Sequence, residues 1–195
     1  MKCKRVEMLD VNAWLKAIAG VAVGLMIAAT VPARADRVRY QGVVDLSAEV
    51  GPLRAEHHHD WGRASHAATT DPFAADNEYS YLRLLDRVTG TELFRRSVPA
   101  LTHIWISPDA KYVVGISNVM FLNPYQLVVF SRSGDRLLER NLVGAPGTSQ
   151  SVTNWIEWYK RPVPQMKIGE DGTTATLSVE DSHGGLRQFQ FPAVH

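Results

Sequence analysis

A mainly β fold of antiparallel meanders is predicted by three features of the sequence. The first is a series of short period-2 runs rich in Val, Ile, Tyr and Phe. The second is the set of polar turns, built from Gly, Pro, Asp and Ser, that separate them. The third is that only one segment carries a helical period. Val38, Tyr40, Gly42 and Val44 open the series, and Tyr79, Tyr81, Leu82, Leu84 and Leu85 make a second run that closes at Arg87 to Thr91. Leu93 to Val98 and Leu101 to Ile106 follow, then the turn Ser107-Pro108-Asp109-Ala110 and Tyr112 to Ile116. Gln126 to Phe130, the turn Arg132 to Asp135 and Leu137 to Leu142 continue the pattern. Met166 to Ile168, Thr174 to Val179 and Leu186 to Phe191 complete it, joined by Glu170-Asp171-Gly172 and Ser182 to Gly185. Such tight polar connections join antiparallel neighbours.

The helical exception is Val152, Trp155, Ile156 and Tyr159, which fall at i, i+3, i+4 and i+7. That spacing predicts one short α-helix over about 150–160, capped by Ser149 or Ser151 and stopped by Pro162, lying across a sheet. Trp158 falls off the apolar stripe and is expected to be exposed.

Residues 1–35 read as a cleaved signal peptide. Lys2, Lys4, Arg5 and Lys16 precede an apolar run from Ala17 to Val31, and Ala33 and Ala35 offer a peptidase its small residues before Asp36. Translation from Met8 instead of Met1 would leave the same mature chain. The run is short of the ~20 residues a spanning helix needs, so the membrane is met only transiently during export. The expected location is periplasmic or secreted. Cys3, the chain's one cysteine, would leave with the leader, and a cysteine-free mature chain must be held by packing, without disulfides.

Residues 36–195 are expected to form a single β-rich domain. Of the chain's 21 basic and 20 acidic side chains, five and two lie in the leader, leaving 16 and 18. With a balance near neutral and no basic cluster larger than Arg95-Arg96, nothing draws the domain to nucleic acid.

The middle of the chain repeats. Leu82 to Gly90 and Leu127 to Gly134 share an apolar strand, a polar turn and a glycine, and Leu177 to Gly184 is a third copy; the glycines are 44 and 50 positions apart. Between the first two copies stands Trp105-Ile-Ser-Pro-Asp-Ala-Lys-Tyr-Val-Val114. Over residues 79–140 this arrangement resembles the repeat blades of β-propellers, which implies blade-like meanders in an incomplete or open arrangement, since the domain is too short for the blades of a typical closed propeller. A sandwich built from similar hairpins is the alternative.

Candidate chemistry is sparse. No Gly-x-Ser-x-Gly, Ser-x-x-Lys or glycine-rich phosphate loop occurs. The segment 51–77 reads as a long loop holding His57-His58-His59-Asp60. Extended, it would point His57 and His59 the same way, and Asp60 or His66 would complete a nitrogen and oxygen shell for zinc or a similar metal. Asp71, Asp76, Asn77 and Glu78 lack the spacing of a calcium loop. The remaining feature is Asn118-Val-Met-Phe-Leu-Asn-Pro-Tyr125, an apolar quartet between asparagines. Asn118, Met120, Phe121, Leu122, Asn123 and Tyr125, with Trp158, are the candidate contacts for another protein. The expected function is that of an exported binding protein without catalysis or cofactor, of the inhibitor, immunity or periplasmic accessory type. A metal-dependent hydrolase using His57 to Asp60 is the alternative.

Overall fold

The computed structural model describes residues 41–66, 78–152, 154–160, 163–169 and 172–194, all within the unit Asp36–His195. The leader, the first residues of the opening run at 38–40, and Asp71, Asp76 and Asn77 therefore lie outside the described residues.

Among the described residues thirteen strands form four antiparallel sheets, so the fold is mainly β and made of meanders, as the alternation predicts. Sheet 1 runs in chain order through β1 (Val43–Val50), β2 (Leu53–Asp60), β3 (Ser80–Asp86) and β4 (Glu92–Ser97). Sheet 2 repeats that order with β5 (His103–Ile106), β6 (Tyr112–Ile116), β7 (Leu127–Ser131) and β8 (Arg136–Arg140). β9 (Ser149–Val152) pairs with β10 (Trp155–Glu157), and sheet 3 comprises β11 (Gln165–Ile168), β12 (Thr174–Glu180) and β13 (Leu186–Pro192). Within the described residues the single helix is the short α1 (Trp61–His66).

Sheet 2 is central because both of its faces are apolar. In β6 and β7 every residue is buried. Val113, Val128 and Phe130 join Leu53, Ala55, Leu82, Leu84 and Phe94 of sheet 1 in one core. The alternate residues Tyr112, Val114, Ile116, Leu127 and Val129 join Ile156, Trp158, Ala175, Leu177, Val179 and Phe191 in a second. Strands buried on both faces read as continuous apolar runs, which is how Tyr112 to Ile116 and Leu127 to Phe130 stand in the sequence. Sheet 1, by contrast, has one apolar face, and on the other Val43, Tyr81 and Leu85 stand among charged residues. That second face carries a ladder of ion pairs: Arg83 grips Glu56 at 2.6 and 2.8 Å, Arg87 reaches Glu49 at 2.6 Å, and the Arg95 guanidinium lies 3.6 Å from the Tyr81 ring centre. The face of sheet 3 opposite its core residues is also polar, with Gln165, Gln188 and the buried Ser178 aligned across the strands, and Lys167, Thr176 and Gln190 likewise.

Two expectations are corrected. The helix over 150–160 is replaced by the hairpin β9–β10, which shifts register between Trp155 and Ile156. A helix of three turns is marginal unless packing supports it, whereas here the backbone has partners waiting. Ile156 N–H donates to the Asn118 carbonyl at 2.8 Å, Met120 N–H donates to the Asn154 carbonyl at 2.8 Å, and Val119 bridges Trp155. Valine, threonine, isoleucine and three large aromatics favour that outcome. Trp158 is consequently not exposed. It follows Ile156 by two, shares its inward direction, and is 0% accessible.

The second correction concerns 51–77. Residues 53–60 are a strand whose burial alternates perfectly, with Leu53, Ala55, His57 and His59 inside. Two histidines at inward positions disguise the alternation, because they read as polar.

Candidate functional site

The β6–β7 connection, Ser117 to Gln126, is a ten-residue loop organised by buried amides and a hydroxyl. Ser117 Oγ donates to the Ala100 carbonyl at 2.7 Å and accepts from Val119 N–H at 3.0 Å and from Asn123 Nδ2 at 2.9 Å. Asn123 Nδ2 also reaches the Ala100 carbonyl at 3.3 Å, while its Oδ1 accepts from Tyr125 N–H at 3.2 Å. Gln126, fully buried, spans the loop: its Nε2 donates to the Val119 and Asn123 carbonyls, each at 3.3 Å, and its Oε1 accepts from Leu142 N–H at 2.8 Å. From the other side Trp158 Nε1–H donates to the Ser117 carbonyl at 2.7 Å. Satisfied buried polar groups of this kind specify one loop conformation.

The conformation so specified contains a tight turn. Asn123 N–H donates to the Met120 carbonyl at 3.3 Å, and Leu122, third in the turn, has φ +52°. A positive φ at this position ordinarily calls for Gly or Asn, and holding a larger residue there costs about 1–2 kcal/mol. The turn presents Phe121 and Leu122 to solvent at 43% and 40% accessibility. The predicted contacts therefore divide. Phe121 and Leu122 are the exposed apolar pair. Met120 packs partly against the second core, and Asn118, Asn123 and Tyr125 are buried. Trp158 is corrected from contact to support, since a residue without accessible surface cannot meet a partner.

His57 and His59 occupy the inward face of sheet 1. His57 Nε2 accepts from Leu101 N–H at 3.0 Å, so the ring proton is on Nδ1, which donates to the Tyr81 carbonyl at 2.9 Å. Both nitrogens are thereby engaged. Burial, followed by the proximity of His59, lowers the His57 pKa to about 3. His59 lies alongside, with ring centres 6.3 Å apart. The Ser80 hydroxyl donates to the Val98 carbonyl and accepts from His59 Nδ1–H at 2.6 Å. His59 Nε2 is buried and has no hydrogen-bond partner, and the Trp61 ring packs against this imidazole edge-on at 4.1 Å. Burial first, then His58, lowers its pKa to about 4. His58 is on the opposite face, 2.8 Å from Asp45 Oδ1 and stacked on Tyr81.

Asp60 caps α1 instead of turning toward the ring pair: its Oδ1 accepts from Gly62 N–H at 2.9 Å and Arg63 N–H at 3.2 Å. His66 ends α1, with its side chain outside the described residues. The structure thus brings His57 and His59 together but directs Asp60 elsewhere, and no group of three or more His, Cys, Asp or Glu occurs among the described residues in metal-holding range. Sequence reasoning missed Ser117, Gln126 and Ala100, which organise the loop. Gln126, between an apolar loop and an apolar strand, was the available signal.

No protein-family model matches the chain. No curated protein matches it. Among solved structures it is similar to an oligogalacturonate lyase in complex with manganese, at 15% identity and a TM-score of 0.39, over 82% of this chain and 38% of that one. The chain spans well under half the length of that structure, and so slight a likeness carries no argument about activity.

Proposed function

We propose that the chain is an exported, non-catalytic binding protein that docks another protein through the turn Met120 to Asn123, in the manner of an inhibitor, an immunity protein or a periplasmic accessory subunit. The observation that carries this reading is the conformation of Leu122. A left-handed leucine beside an exposed phenylalanine is costly twice over, in backbone strain and in apolar surface left in water. A buried network of Ser117, Asn123 and Gln126 maintains it. Strain held in place by surrounding structure collects at functional sites, and a preorganised apolar pair spares a partner the entropy of ordering the loop. Support for export comes from the leader-like composition of residues 1–35.

The test is Phe121→Asp. A carboxylate placed in an apolar contact loses burial and gains a desolvation cost, so capture of the partner from a periplasmic extract by the immobilised chain is expected to fall at least tenfold, with the urea midpoint unchanged. Capture undiminished in this variant removes the turn from the docking surface. The rival hydrolase reading has one observation in its favour, the partnerless His59 Nε2. It would require a melting temperature raised by zinc and lowered by a chelator.

A further inference from the structure

We propose that His57 is a positioning residue for the apolar turn, acting through the single peptide unit between Ala100 and Leu101. The inference rests on reading that turn as the docking site. The crossover from β4 to β5, Val98 to Thr102, belongs to no strand, and Pro99 has no N–H to offer. What fixes it is a small set of contacts. The Val98 carbonyl accepts from Ser80, Thr102 N–H donates to the Ile116 carbonyl at 2.8 Å, and Leu101 N–H donates to His57 at 3.0 Å.

The C=O of Ala100 and the N–H of Leu101 are the two ends of one planar trans amide, which transmits rotation because it cannot twist about its own C–N bond. His57 holds the N–H end from sheet 1, and Ser117 and Asn123 hold the C=O end from the β6–β7 connection. The Leu101 side chain is closely confined as well: a Cβ added at Gly115 would lie 2.7 Å from Leu101 Cδ1, so the crossover sits tight against β6. Releasing the N–H lets the amide plane rock. That loosens its carbonyl from Ser117 and Asn123, the two residues that also hold Val119 N–H and Tyr125 N–H on either side of Phe121 and Leu122.

Two substitutions separate this role from mere filling of space. In His57→Asn the amide reaches the place of Nδ1 and still donates to Tyr81, but leaves Leu101 N–H without an acceptor. In His57→Gln the longer side chain brings an oxygen to the place of Nε2 and restores it. Hydrogen exchange of the Val119 and Tyr125 amides is the readout, with the Gly184 amide, which donates to the Asp181 carbonyl in a distant hairpin, as reference. His57→Asn is expected to speed Val119 and Tyr125 exchange about tenfold relative to Gly184, the effect of losing one buried hydrogen bond. His57→Gln is expected to change that ratio less than about threefold.

Equal acceleration in both variants, or in neither, overturns the proposal. If His57→Asn does not fold, the coupling is read in reverse, because it is reciprocal. Ser117→Ala removes the shorter of the two hydrogen bonds on the carbonyl end of the amide, leaving only Asn123 at 3.3 Å, and is expected to move the 15N resonance of His57 Nε2, and an unmoved resonance overturns the proposal equally. Exchange and ring resonance report the coupling whether or not the turn binds anything, whereas the Phe121→Asp capture experiment reports the docking reading alone. The two failures are therefore distinguishable.

Discussion

The hairpin turns and the β6–β7 connection solve the same geometric problem with opposite chemistry. Between β3 and β4, β7 and β8, and β12 and β13, the chain reverses on a glycine of positive φ, at Gly90, Gly134 and Gly184. Side chains at the strand ends collect the turn amides. Asp86 Oδ1 accepts from Val88 and Thr89, Asp181 Oδ1 accepts from His183 and Gly185, and Ser131 Oγ accepts from Asp135 N–H. Each hairpin is polar, is relaxed at its glycine and collects its turn amides with its own side chains, although Arg96 also reaches the Gly134 carbonyl and Ser182 the Glu157 carbonyl. The β6–β7 connection instead uses leucine where glycine would be relaxed, and its hydrogen bonds reach Ala100, Leu142, Asn154 and Ser117's indole partner Trp158. A second non-glycine residue, Ala110 of the short β5–β6 turn, also has φ +60°, but Ser107 and Asp109 satisfy that turn locally. What sets the β6–β7 connection apart is therefore an exposed apolar pair held by distant partners, and departures of this kind from local consistency collect at functional sites.

The comparison is tested most severely at Trp158, which supports the connection from the core. Removing its 0%-accessible side chain leaves a large cavity and deprives the Ser117 carbonyl of a donor. Trp158→Ala is expected to destabilise by about 3–5 kcal/mol in urea melts, and Trp155→Ala, at a half-buried site, by markedly less. Similar losses at the two positions would mean that the connection does not depend on the core in the way the indole hydrogen bond implies.

That prediction reverses the order the sequence suggested, and the reason lies in how the segment was read. Most strands were legible because alternation and turn residues agree, as at Thr174 to Val179 and the Ser182 to Gly185 turn. The three glycine hairpins were legible for the same reason. Around 150–160 the spacing of Val152, Trp155, Ile156 and Tyr159 satisfied a helical stripe while Ile156 and Trp158 also satisfied a strand. Periodicity does not arbitrate over so few residues; the open backbone of Asn118 to Met120, remote in sequence, decided it. β2 was hidden by histidines at inward positions, whose neutrality depends on the buried acceptors and donors they meet. At the candidate site, the apolar residues and the Asn-Pro punctuation were visible. The left-handed Leu122 and the Ala100 carbonyl that organises the loop were not, because both arise from contacts between residues far apart in the chain.

Acid separates the two regions on the pH axis. His57 and His59 back the crossover that holds the β6–β7 connection, and burial lowers their pKa values to about 3 and about 4 from 6.5. Because the folded values lie below the unfolded one, their neutral forms contribute stability that is complete above about pH 6.5 and is lost as the pH falls toward the folded values. The hairpin carboxylates act lower. Hydrogen bonds from Ser133 and Ser131 hold Asp135 below its ordinary 3.8. At Asp181 burial pushes upward, but the Gly185 and His183 amides and Arg187 outweigh it. Their contribution is present above pH 3.8 and is lost beneath it. Urea midpoints are therefore expected to fall between pH 6.5 and 4, and His57→Gln, which keeps the Leu101 hydrogen bond without a titrating ring, to flatten that fall. A profile already level from pH 7 to 4.5 in the parent would show that the ring pair is not held neutral by burial.

The smallest effect on stability is expected where the comparison is sharpest, at Leu122→Gly, which installs the hairpin solution in the β6–β7 connection. Glycine relieves a left-handed strain of about 1–2 kcal/mol but adds unfolded-chain freedom of roughly 0.5–1 kcal/mol. The leucine side chain, 40% accessible, contributes only part of its full burial. These terms nearly cancel, so the urea midpoint is expected to stay within about 1 kcal/mol of the parent. Partner capture should nonetheless fall, since half of the exposed apolar pair is gone and the turn is free to relax. Leu122→Asn, which tolerates positive φ, should match the glycine variant in stability and in lost capture. A large destabilisation by either substitution would show that Leu122 is there for packing, and would return the connection to the same structural class as the glycine hairpins.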